Sequence, residues 1–142
     1  HNLLIGERTA ERIKIEVGSA LTELENPPEE YEVRGRDLMT GIPKVINVSY
    51  SEISFSLDKS ISKIEEAVLK ALETAPPELS ADIYENGIHL TGGGALLRGL
   101  DKRLSMKTKL PVKVAEDPLR AVVRGTGETL KDLNKYRAVL MN

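Results

Sequence analysis

The residues of this 142-residue sequence with the clearest chemical meaning are Thr91-Gly92-Gly93-Gly94-Ala95-Leu96-Leu97. Three consecutive glycines strip the side chains from a turn, so a ligand can lie directly against the main chain. The turn follows a short apolar run, Ile88-His89-Leu90, and leads into an amphipathic stretch from Leu100 to Thr108. The expected order is strand, glycine turn, helix. Free N–H groups at the start of that helix would then face the ligand and favour an anion such as phosphate. No Gly-Lys-Ser/Thr follows, so this is not a Walker A loop. Leu97 occupies the third glycine position of a dinucleotide fingerprint, so that match fails as well. A tight structural turn uses the same residues, and the local sequence leaves both readings open.

Other candidates are weaker. Glu7, Glu11, Lys14 and Gly18 recur at spacings of three and four, which puts them on one surface of a helix. By itself a Glu–Lys pair three apart is usually a solvated surface interaction. His89 is the only internal histidine, with His1 as its sole companion, so a structural role outweighs metal binding or catalysis. No nucleophile elbow occurs, and no histidine is placed to activate a serine. Arg98, Lys102, Arg103, Lys107, Lys109 and Lys113 read as a solvated helix face, with contact to an acidic neighbour subunit as the subordinate reading. Glu65 and Glu66 are expected on the exposed side of a long helix. A net charge of −2, and the lack of aromatics among the basic residues, argue against nucleic acid. The absence of cysteine excludes disulfides and thiolate zinc sites. No apolar run approaches the roughly 20 residues of a membrane span.

The elements that must position these groups follow from periodicity. With 40% hydrophobic but only 4% aromatic residues, the core must come from Ile, Leu, Val and Ala. Gly6 to Leu21 predicts a helix with Thr9, Ile13, Val17 and Leu21 inward. The acidic loop Glu23 to Glu30, which holds Asn26-Pro27-Pro28, ends it and is expected to be exposed. Tyr31–Leu38 and Lys44–Tyr50 predict an antiparallel hairpin, with Ile46, Val48 and Tyr50 on one face. Ser49 and Glu52 form a capping box for a long helix whose stripe is Ile53, Leu57, Ile61, Ile64, Val68 and Leu72. Pro76-Pro77 stops it. A short helix over Glu78–Glu85, closed by Asn86-Gly87, precedes the glycine turn. Pro111–Ala115 predicts a second strand. Asp117-Pro118 begins a last helix with Leu119, Val122, Val123, Thr126, Leu130 and Leu133 inward. The opening His1-Asn2-Leu3-Leu4-Ile5, apolar and without methionine, reads as the start of an excised piece of a larger protein.

Two of these segments together carry a family resemblance. Ile5-Gly6-Glu7-Arg8-Thr9-Ala10-Glu11-Arg12-Ile13-Lys14 and Leu90-Thr91-Gly92-Gly93-Gly94-Ala95-Leu96-Leu97 resemble signature stretches of MreB, the rod-shape-determining bacterial actins. Glu32–Leu38, Thr74–Leu79, Ala115–Leu119 and Arg124-Gly125-Thr126-Gly127 extend the likeness, in order, along essentially the whole chain. The likeness covers only the C-terminal half of the family. It implies an α/β class, with an α+β small subdomain, within the actin, Hsp70 and sugar-kinase ATPase fold. On that basis residues 6–64 are the small subdomain of the second domain, and 65–115 are that domain's nucleotide-binding core. Residues 116–142 hold the C-terminal helix that returns to the first domain, where this helix is expected to be disordered or packed against something non-native if that domain is lacking.

The resemblance also implies a site. Glu11, Arg12, Ile13 and Lys14 match the helix contacting the nucleoside, with Glu11 accepting from the ribose hydroxyls and the Lys14 stem covering adenine. Thr91, Gly92, Gly93 and Gly94 match the turn beneath adenosine and the α-phosphate. ATP is the implied cofactor, with Mg2+ held by residues of the other half. That half would also supply the phosphate grip and the attacking water, so this chain alone is expected to be inactive and to bind nucleotide weakly. The intact protein is implied to be a slow ATPase that self-associates into cytoplasmic filaments at the inner face of the membrane. There it would work with the cell-wall elongation machinery. The competing readings are part of an Hsp70-like or sugar-kinase-like enzyme, and a free-standing binding module.

Overall fold

A computed structural model describes residues 1–137 of the chain. Helix α1 spans Glu7–Val17 and buries Ile13 and Val17. Strands β2 (Tyr31–Asp37) and β3 (Pro43–Val48) pair antiparallel from Tyr31↔Val48 to Arg36↔Pro43. A two-residue strand absent from the sequence reading, β1 (Leu3–Leu4), joins the other edge of β2 through Leu3↔Asp37 and Leu4↔Arg36. Ile13, Val17, Val33 and Val48 form the first core, with Tyr31, Ile46 and Ile53 packed around it.

The long helix α2 runs Tyr50–Glu73. Its capping box is complete: the Ser49 side chain accepts from Glu52 N–H, and the Glu52 carboxylate accepts from Ser49 N–H at 2.8 Å. Such a cap contributes about 1 kcal/mol. Helix α3 (Pro77–Asn86) starts on the proline that ends α2. Strand β4 (Ile88–Leu90) then pairs parallel with β5 (Val112–Val114), and α4 (Leu100–Thr108) is the crossover between them. Ala20, Ile61, Leu100 and Leu104 form a second core, flanked by Leu57, Val68, Leu90, Leu97 and Val112. Because α2 gives Ile53 to one core and Ile61 to the other, it is the beam joining both halves.

Four expectations are corrected. Helix α1 stops at Val17 rather than Leu21, because the chain turns extended at Gly18 and Ser19 bridges to Arg98. Gly18 permits this: a Cβ there would lie 2.1 Å from the Lys14 carbonyl oxygen. On α2 the buried place falls to Glu65 (8% exposed), while Ile64 is 46% exposed. The basic residues of α4 are not uniformly solvated, since Arg103 reaches in to pair with Glu65 and Asp58. Finally, helix α5 (Ala121–Lys131) forms, but Leu119, Val122, Val123, Leu130 and Leu133 are exposed rather than inward. Neither core extends to them. The expected C-terminal stretch 138–142 lies outside the described residues.

Candidate functional site

The glycine turn sits at the end of β4. Ala115 N–H donates to the Leu90 carbonyl at 3.0 Å, and Gly92 N–H to the Pro118 carbonyl at 2.7 Å. These bonds hold the turn against the segment that follows β5. Gly92 has φ +79°, a conformation open to glycine and costly for other residues. Gly93 and Gly94 begin a short 3-10 turn, Gly93–Leu96, which corrects the expectation that the glycines open directly into α4. That helix starts only at Leu100, after a second left-handed glycine, Gly99.

Gly94 has no positive φ, and a Cβ built on it meets no described atom within 4 Å. The fold itself therefore gives no reason for glycine there. Among the described residues, the Gly93 and Gly94 N–H groups have no acceptor. Two unpaired donors on exposed, bare backbone suit an anionic or polar ligand.

Helix α1 separates its four candidates. At about 100° per residue, Glu11 and Lys14 lie about 60° apart on one flank, and both are exposed. Arg12 is turned about 160° from Lys14. It lines a different groove, of about 440 Å³, with Arg8, Thr9 and β2 residues Tyr31 to Arg34. Ile13 is 6% exposed in the first core, so its side chain is withdrawn from any ligand. Its apolar character holds the helix in place instead.

The end of α1 is fastened to the chain just beyond the glycine turn. Ala20 N–H donates to the Arg98 carbonyl at 2.8 Å, and Ser19 and Arg98 make a parallel bridge. The Arg98 guanidinium donates to the Ile15 carbonyl at 3.2 Å and reaches the Gly18 carbonyl at 3.5 Å. Among the described residues, Glu11 and Lys14 make no hydrogen bond to the glycine turn. The Arg98 junction thus joins the end of α1, not Glu11 or Lys14 themselves, to the chain after the turn.

Sequence reasoning missed Arg98 as an α1 cap and the Arg103 cluster beneath it. Arg103 Nε donates to Glu65 Oε1 at 2.7 Å, and Nη1 to the Ala20 carbonyl at 3.1 Å. Glu65 and then Asp58 hold the Arg103 guanidinium above its ordinary pKa against the opposing effect of burial. The spacing of Ile61, Glu65, Val68 and Leu72 was as helical as the stripe chosen; the charge alone hid it. Among the described residues no group of three or more His, Asp or Glu is arranged for a metal. The exposed turn offers unpaired N–H donors, the kind of group a phosphate accepts from. No described helix is long and apolar enough to cross a membrane.

The fold and the turn define a class, the actin-like proteins. Crystal structures of MreB5 of Spiroplasma citri bound to ADP and to AMPPNP superpose with a TM-score of 0.88 at 39% identity, over 96% of this chain and 41% and 40% of those chains. The family model described as MreB/Mbl protein matches residues 1–138. This chain belongs to that MreB/Mbl family. It is 47% identical over 135 residues to the cell shape-determining protein Mbl of Bacillus subtilis (strain 168), covering 95% of this chain and 40% of Mbl. It is 50% identical over 133 residues to the cell shape-determining protein MreB of Escherichia coli (strain K12), covering 94% of this chain and 38% of MreB. The chain thus spans about 40% of the length of the curated relatives it matches. Family membership decides against the Hsp70-like and sugar-kinase-like readings.

Proposed function

We propose that this chain forms the adenosine side of the ATP site in a bacterial actin-like filament protein, one that determines rod cell shape by guiding cell-wall elongation. Residues 6–64 act as the small subdomain and 65–115 as the nucleotide-binding core, while 116–142 lead the chain back to a first domain. Glu11 accepts from the ribose hydroxyls, Lys14 covers adenine with its stem, and the backbone of Thr91 to Gly94 lies beneath the sugar and the α-phosphate. The Arg12 and Ile13 side chains take no part.

The observation that carries this reading is the pair Gly93-Gly94, exposed glycines that neither backbone conformation nor packing requires and whose N–H groups have no acceptor among the described residues. Close approach of a ligand supplies the missing reason. Further support comes from the relatives: two are cell shape-determining proteins, and MreB5 was crystallised with ADP and AMPPNP. Phosphoryl transfer needs charge neutralisation and a positioned nucleophile. Those groups, with Mg2+, belong to the other half of an actin-like cleft. Filaments form by self-association in the cytoplasm at the inner membrane face, beside the elongation machinery.

The test is calorimetric titration of the full-length protein with ADP, with light scattering to follow assembly when ATP is added. Gly94→Ala is expected to weaken ADP binding about tenfold, about 1.4 kcal/mol, while leaving the melting temperature of the unliganded protein within 1–2 °C, roughly the effect of a neutral surface change. Glu11→Ala should weaken binding similarly. Wild-type affinity in both variants would sink the assignment.

A further inference from the structure

Resting on the proposed nucleoside contact of Glu11, we propose that Arg98 is a positioning residue for the ribose, fixing the angle at which α1 presents Glu11. The backbone pairing between residues 19–20 and Arg98 anchors the strand-like exit from α1, not the helix itself. Between them lies Gly18, extended at φ −65° and ψ 138°, where the chain direction changes. The Arg98 side chain crosses that change of direction. Its guanidinium holds the Ile15 carbonyl in the last turn of α1 and the Gly18 carbonyl beyond it.

A donor that bonds on both sides of a bend, here the single guanidinium nitrogen Nη1 shared between two carbonyls, acts as a brace. It also satisfies a carbonyl left open at the helix C-terminus and places positive charge at the favourable end of the helix dipole. The remaining contacts of the junction do not replace it. Ser19 Oγ bonds Leu21 and Arg98 backbone groups, and Arg103 bonds the Ala20 carbonyl; all of these act after the bend.

Glu11 lies one turn upstream of Ile15, about 6 Å along the axis. A tilt of about 10° at the brace therefore displaces its carboxylate by about 1 Å, enough to spoil a hydrogen bond of 2.7–3.0 Å. Arg98 itself follows the glycine turn by four residues. One residue thus joins the two sides of the nucleoside pocket, coupling the backbone beneath the ligand to the helix beside it.

The readout is discrimination between ADP and 2′-deoxy-ADP by the full-length protein, measured by calorimetric titration. A cap that only stabilises the fold leaves this ratio unchanged; a brace that aims Glu11 does not. Wild type is expected to prefer ADP about tenfold, and Arg98→Ala to reduce the preference to about twofold. Glu11→Ala is the companion. If it too drops to about twofold while Arg98→Ala keeps the wild-type ratio, the brace is refuted and the nucleoside site stands. If Glu11→Ala keeps the wild-type ratio, the nucleoside role of α1 fails and the brace fails with it. Should Arg98→Ala not fold by circular dichroism, Arg98→Met takes its place. It retains an apolar stem without any donor, and a ratio below about fivefold is expected; the wild-type ratio would overturn the proposal.

Discussion

Three adjacent glycines in the turn have three different physical settings. Gly92 answers a backbone need, its φ of +79°. A Cβ on Gly93 would sit 3.4 Å from a Leu119 methyl, an ordinary contact. Gly94 meets nothing at all, so neither it nor Gly93 is a glycine that the backbone conformation or packing requires. Asp37 shows the same separation of causes in a charged group. Its carboxylate accepts from Lys44 Nζ at 3.0 Å and from the Met39 and Thr40 N–H groups at 2.8 and 3.1 Å, closing the β2–β3 turn. The Lys44 bond first, then those two backbone bonds, lower its pKa from 3.8 to about 2. A depressed carboxylate stabilises the fold above its unfolded pKa, and that contribution is lost as pH falls through the folded value. The hairpin should therefore hold its order at pH 4 and lose it progressively towards pH 2. Carbon-detected NMR titration of the Asp37 carboxyl should give a midpoint near 2. In Asp37→Asn, amide exchange at Met39 and Thr40 should be faster at pH 6 and no longer increase between pH 4 and 2 beyond the intrinsic acid effect.

At the scale of elements, the Arg103 cluster explains why α2 and α4 pack in one register. Glu65 is buried at 8% exposure, and the only charge close enough to satisfy it among the described residues is Arg103. Removing one partner of such a pair leaves a desolvated charge, whereas replacing both with apolar groups is often neutral. Arg103→Met is expected to cost about 3 kcal/mol in urea unfolding, and Arg103→Met with Glu65→Leu to recover most of that. Equal losses in the single and double variants would show the pair to be incidental. This cluster also marks where sequence legibility ends. Local signals read true: the Ser49–Glu52 box, the proline stop after α2, the hairpin and the limits of β4 and α4 all depend on neighbouring residues. What depends on a distant partner did not. Glu65 was misplaced because Arg103 is 38 residues away, and the end of α1 because Gly18 and Ser19 pack on Leu97 and Arg98. The glycine turn was legible as an exposed turn between a strand and the stretch leading to α4. The different settings of Glu11, Arg12, Ile13 and Lys14 were not, because the position of β2 decides which flank of α1 is covered.

For the whole molecule, the question is whether two small cores behave as one. The first holds α1 and the three-stranded sheet, the second α4 and the β4–β5 pair, and α2 contributes to both. A continuous 24-residue helix cannot keep its first half ordered over one core while the other core melts without fraying mid-length, and the Arg98 bond to the Ile15 carbonyl of α1 crosses the same divide. Cooperative unfolding of both cores follows, because local opening on either side forfeits contacts on the other. Helix α5 stands apart: Val122 and Val123 are 71% and 72% exposed, so truncating them removes little buried surface. Leu104, 1% exposed at the centre of the second core, is the opposite case. Leu104→Ala is expected to cost about 2–4 kcal/mol. It should lower the midpoint reported by Tyr31 and Tyr50 fluorescence at the first core by as much as the midpoint reported by helical circular dichroism. Val122→Ala should change either by less than about 0.5 kcal/mol. If Leu104→Ala separates the two midpoints, the cores are independent, and α2 links them in space without linking their stabilities.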